Sequence, residues 1–134
     1  MTRIVCATNA GGASRAMHIA AFRRAAEAGS SLTFLHVLGG QDFDEQPERM
    51  RAAIQTEMEW LLHVLVRVAQ DRSEASDVPV SVVVRIGDPA ATILEVVQEI
   101  EPEMLLVGVP REGGASVFHD TRFNRFVASV EELG

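Results

Sequence analysis

The chain reads as a doubly wound α/β domain, an open parallel sheet of four predicted strands with helices on both faces. Three observations predict it. Four short apolar runs, at residues 4–7, 32–38, 78–86 and 104–107, are each followed by a segment of helical periodicity. Such alternation implies parallel strands joined by right-handed crossovers. The 134 residues, 47% hydrophobic and 23% charged, suit one compact domain spanning 1–134, with no linker, internal repeat or low-complexity tract.

Each element has its own signal. Residues 4–7 stop at Asn9-Ala10-Gly11-Gly12, a turn sequence that ends the first strand. Ser14 is placed to cap a helix whose core face carries Met17, Ala20, Ala21 and Ala25, and Gly29 stands just past its end. The second strand, LTFLHVL at 32–38, is apolar enough to be buried on both faces, and Gly39-Gly40 then opens an acidic loop. From Pro47 to Arg72 runs the longest predicted helix, with Met50, Ile54, Met58, Leu61, Leu65 and Val68 as its core stripe. Val78 to Ile86 is a β-branched strand with Pro79 at its entrance. In the Gly87-Asp88-Pro89 turn, Asp88 can cap the next helix and Pro89 can take its first position. Ile93, Val97 and Ile100 form that helix's stripe, and Glu101-Pro102 ends it. Met104 to Val107 is the fourth strand, and Phe123, Phe126, Val127 and Val130 repeat as a last helix.

Composition excludes several functions. A net charge of −7 argues against general nucleic-acid or anionic-membrane binding, both of which need a basic surface. All twelve basic residues are arginine, so Schiff-base chemistry and a P-loop lysine are absent. Cys6, the only cysteine, sits in an apolar run and is expected to be a small buried hydrophobe. The histidines at 18, 36, 63 and 119 lack ligand spacing, so no metal site is expected, and His36 is expected to be a satisfied core residue. Glu57 and Glu59 read as a solvated helix face. No nucleophile–base set is visible, and no enzyme activity is expected. With neither a signal peptide nor a long apolar stretch in view, the expected location is the cytoplasm.

In a doubly wound sheet, a ligand lies beyond the carboxyl ends of the strands where their order reverses. That places a candidate site between residues 9–12 and 108–114. MLLVGVPREGG, at 104–114, has the layout of a phosphate loop, with glycines after a buried strand and a helix to follow. Pro110 has no amide hydrogen to donate, however, and Glu112 brings negative charge.

IVCATNAGGAS at the start, LTFLHVL, VVVRIGDPAATILEVVQE and MLLVGVPREGG together resemble the universal stress protein family, over nearly the whole chain. Arg85 to Ala90 followed by Ile93-Leu94-Glu95 is the most specific piece. The resemblance implies a Rossmann-like fold and, in ATP-binding members, a loop G-x2-G-x9-G-[ST] after the fourth strand. Gly108 matches the first glycine, whereas Arg111, Thr121 and Arg122 stand at the second glycine, the third glycine and the hydroxyl. The family's usual aspartate after the first strand is replaced by Asn9, which carries no charge. Its usual fifth strand, often a dimer contact, has no counterpart in the sequence, and Phe118, Phe123 and Phe126 are expected to pack the last helix on the sheet. The candidate nucleotide pocket is therefore Ala7, Thr8, Asn9, Val37, Gly87, Gly108, Arg111, Gly113, Gly114, Thr121 and Arg122. Arg111 is expected to block phosphates more than clamp them, with Glu112 and Asp120 as salt-bridge partners. The expected function is a stress-response domain without a cofactor, acting through a homodimer, another homo-oligomer or a protein partner. The alternative is an ATP or AMP switch with a modified loop.

Overall fold

The computed structural model describes residues 1–9 and 14–107. The expected last helix and the candidate residues from Gly108 onward lie outside them. The described elements are β1 (Arg3–Ala7), α1 (Arg15–Ala28), β2 (Ser31–Leu38), α2 (Gln41–Asp44), α3 (Glu48–Ser73), β3 (Val80–Ile86), α4 (Pro89–Ile100) and β4 (Met104–Val107). The strands are parallel and ordered β3-β2-β1-β4. The connection after β3 thus passes back over the sheet to the far side of β1, and the order reverses between β1 and β4, as expected.

Strand alternation divides the core in two. Ile4, Cys6, Leu32, Phe34 and Leu106 face α1 and α3. Val5, Leu35, Leu105 and Val107 face α4. β2 is buried through its first half and half-buried beyond it, less completely covered than its composition suggests.

The helices differ in how well they follow the sequence. α4 matches closely: the Asp88 carboxylate accepts from the Ala91 amide at 3.0 Å, Pro89 occupies the first turn, and Ile93 and Val96 are buried. α1 ends on Gly29 at φ +64, a left-handed conformation that glycine adopts without strain. Its buried face is His18, Ala21, Phe22 and Ala25, whereas Ala20 is exposed and Ser14 forms no side-chain cap. Phe22 takes the centre because its ring reaches Phe34, 5.4 Å between centroids.

α3 departs most. Its buried residues are Leu62, Val66 and Ala69; of the expected stripe, Met58 packs against this core and Ile54 and Leu65 are half-buried. Met50, Leu61 and Val68 are 50%, 40% and 41% exposed. The helix carries apolar residues around most of its circumference, so periodicity alone does not fix the inward stripe, and packing on the sheet and α1 buries Leu62, Val66 and Ala69. The acidic loop after Gly39-Gly40 also contains a single helical turn, α2.

At the amino end of the sheet, side chains tie three strand starts together. Thr2 Oγ1 lies 2.5 Å from Ser30 Oγ, which donates to Glu103 Oε1 at 2.6 Å. The Ser31 amide bonds the Thr2 carbonyl and the Glu103 amide bonds the Arg3 carbonyl.

Candidate functional site

The carboxyl end of β1 holds the described part of the candidate pocket. The Thr8 amide extends the ladder to the Leu35 carbonyl at 2.8 Å. Its hydroxyl lies 2.7 Å from His18 Nε2, and His36 Nδ1 lies 2.7 Å from its carbonyl oxygen. A carbonyl only accepts, so His36 carries its proton on Nδ1. Thr8 is thus fixed through its amide, carbonyl and hydroxyl. His18 reaches it from α1 because one helical turn separates His18 from Phe22, and both rings pack on Phe34. The His18 and Phe34 rings meet edge to face at 4.9 Å. Burial removes the imidazolium's hydration and holds the His18 pKa below its ordinary value.

The sheet separates the other predicted residues. Ala7 and Val37, both half-buried, belong to the α4 side, while the Thr8 hydroxyl engages α1 on the opposite side. Asn9 is exposed at the rim between them. Gly87 stands at the end of β3, its amide bonded to the Leu38 carbonyl at 3.0 Å. Packing explains why it is glycine. A Cβ on Gly87 would fall 2.5 Å from Thr92 Oγ1, and one on Gly39 would fall 2.1 Å from the Gly87 carbonyl oxygen.

The sequence reading missed the two imidazoles that converge on Thr8. Their signal was present: His18 is a polar residue on an otherwise apolar helix face, and His36 follows four buried positions in a strand. His36 is hydrogen-bonded and half-buried, in keeping with the expected satisfied role. Cys6 is fully buried, and desolvation pushes its thiol up to about 12, which makes it inert. Glu57 and Glu59 are exposed, as expected. Among the described residues no group of three His, Cys, Asp or Glu side chains could hold a metal ion, and no helix is long and apolar enough to cross a membrane. A cleft of about 320 Å³ lies at the opposite, amino end of the sheet, lined in part by Gly29, Ser30, Glu74 and Asp77, far from the β1–β4 crevice.

The site can therefore present a neutral amide at Asn9 and backbone groups at the strand ends. None of its described pocket side chains carries a charge.

Solved structures share this architecture. A universal stress protein family member from Burkholderia pseudomallei aligns over 81% of this chain and 81% of its own, at 19% identity and a TM-score of 0.60. A universal stress protein in complex with cAMP aligns over 98% and 86%, at 19% identity and 0.55. One from Arabidopsis thaliana with AMP bound aligns over 88% and 83%, at 18% identity and 0.54. At these identities the likeness is one of fold. No curated protein sequence matches the chain. The model of the universal stress protein family matches residues 1–121, and the chain belongs to that family.

Proposed function

We propose that this domain serves a stress response without catalysing a reaction, does not hold ATP through the family's usual loop, and acts in the cytoplasm by associating with itself or with protein partners. The outer face of α3 carries this reading. Trp60 is 70% exposed, with Leu61, Val64 and Val68 each about 40% exposed beside it. A contiguous apolar stripe of this kind on a soluble domain marks a contact surface. Two further points support it. Thr8's main-chain and hydroxyl groups are engaged within the fold, and Arg111, Thr121 and Arg122 replace the loop's phosphate-binding residues.

Calorimetry tests the nucleotide half of this reading. No heat is expected on titrating ATP. Micromolar ATP affinity that a bulky substitution at Gly108 abolishes would overturn it. A second reading, a switch that binds AMP or cAMP, draws on the ligands bound in two of the similar structures. A single phosphate asks less of the loop than three do. Recovery of adenine nucleotide from protein purified from cells, with a thermal shift on adding it back, would establish that version.

A further inference from the structure

The two imidazoles that hold Thr8 answer acid differently. His36 donates its Nδ1 proton to the Thr8 carbonyl, and an imidazolium keeps that donor, so this bond survives protonation. His36 is also half-buried, which leaves a charge there partly hydrated. His18 is 2% exposed, and its Nε2 meets only a neutral hydroxyl, that of Thr8. A charge placed on it gives up its hydration and gains no ion pair in return.

The described elements around His18 supply no counter-charge. α1 has no acidic residue in its first turn and carries Arg15 there, beside the positive end of the helix dipole. β1 brings Thr8, β2 brings Phe34 and His36, and β4 has no ionisable side chain. Towards its start α3 brings Arg51, one turn before the Gln55 amide that reaches the Val84 carbonyl; Arg51 is a second cation, its Nε buried without an acceptor. Glu48 and Glu59 of α3 are exposed, and α4 with its carboxylates lies across the sheet. Desolvation accordingly lowers the His18 pKa, with no charged neighbour contributing.

We propose that His18 is an acid-operated latch between α1 and β1: on protonation it leaves its buried place, withdraws from the Thr8 hydroxyl and lets the first turns of α1 part from the end of the strand. His36 keeps the Thr8 carbonyl in place meanwhile, so β1 itself stays in the sheet. The opening is local, because a terminal helix turn separates at lower free energy than the core, and Phe22 and Ala25 further along α1 remain packed. The crevice end of the sheet thus takes a second form in acid. This device goes beyond the function proposed above and does not depend on whether that end takes a nucleotide or a protein.

Nuclear magnetic resonance titration from pH 7.5 to 5 tests it. The His18 ring and the Thr8 amide should shift with one common midpoint, below the ordinary imidazole value of about 6.5. Hydrogen exchange at the His18 and Ile19 amides, corrected for its intrinsic pH dependence, should quicken at least about tenfold between pH 7 and pH 5. Exchange at Ala25, Val66 and Leu105 should stay slow. His18→Gln, which can still bond the hydroxyl but does not titrate, should abolish the response, while His36→Gln should leave it. Arg15→Glu, a change at an exposed position that favours the imidazolium, should raise the midpoint. A Thr8 amide that does not follow His18, a response that persists in His18→Gln, or core amides losing protection over the same range would each overturn the latch, the last by showing general acid unfolding in its place.

Discussion

α3 and α4 cover opposite faces of the same sheet, yet only α4 is written plainly in the sequence. α4 has one apolar face, a carboxylate cap and a proline in its first turn, so its start, its end and its orientation each have an independent signal. α3 has a proline before its first turn but no side-chain cap, and it is apolar on two sides. Hydrophobic periodicity reports that a helix is amphipathic, and it reports which way the helix faces only when the other side is polar. In α3, leucine and valine occur on both sides, with Leu62 and Val66 buried and Leu61, Val64 and Val68 exposed, so residue type does not reveal which side faces the sheet. A helix with a second apolar face has a second surface to cover.

The sharpest way to break this comparison is to truncate the two faces of α3 separately. Leu62→Ala should cost about 2–5 kcal/mol of stability, whereas Leu61→Ala should cost less than about 0.5 kcal/mol, both read from urea unfolding. Equal losses would mean that the inner and outer faces have been confused. Next in size is Gly39→Ala, whose methyl group would run into the Gly87 carbonyl and should cost about 1–3 kcal/mol. A neutral result would show that the β2 and β3 ends can part without loss.

On the α4 side, Asp88→Ala should remove about 1 kcal/mol by leaving the Ala91 amide without its side-chain acceptor. The two faces should also respond to different solution conditions. Burial lowers the His18 pKa on the α1 side, so the unfolded chain takes up this proton before the folded one does. Stability from this residue is complete above about pH 6.5, the ordinary imidazole value, and falls as the pH drops from there towards the lower folded-state value. Unfolding midpoints at pH 7 and pH 5 should show the loss, and His18→Gln should flatten that slope. The smallest effect is expected on the α4 side. There Arg85 meets Glu99 through two hydrogen bonds, of 3.1 and 2.8 Å, at the surface, and the pair raises the Arg85 pKa and lowers that of Glu99. A double-mutant cycle should find a small coupling that disappears in high salt.

The strands and the reversal between β1 and β4 were legible because buried parallel strands read as short apolar runs with turn residues after them. Asn9 follows β1 and Gly87 follows β3, as the turn residues at those points predict. Two things could not be read. The convergence of His18 and His36 on Thr8 joins residues from α1, β1 and β2, and no local pattern encodes a contact between them. The separation of Ala7 and Val37 from the Thr8 hydroxyl follows from strand alternation, but only once the register of β1 against β2 is known. The glycines at 39 and 87 read as turn residues, whereas their tight approach to each other belongs to the packing of two strand ends.

The hydroxyl chain from Thr2 through Ser30 to Glu103 gives the sheet a polarity that its strand order alone does not. A slip of one residue between parallel strands would turn every side chain to the wrong face, and this chain fastens β1, β2 and β4 against such a slip at the end away from the crevice. The opposite end is relieved of that duty. The segment that follows Gly39 can change length and sequence while the register holds at the lower seam. The lower seam is where an inserted residue should be tolerated least, and the largely exposed segment at 40–46 beyond β2 is where a foreign segment should be accepted most readily.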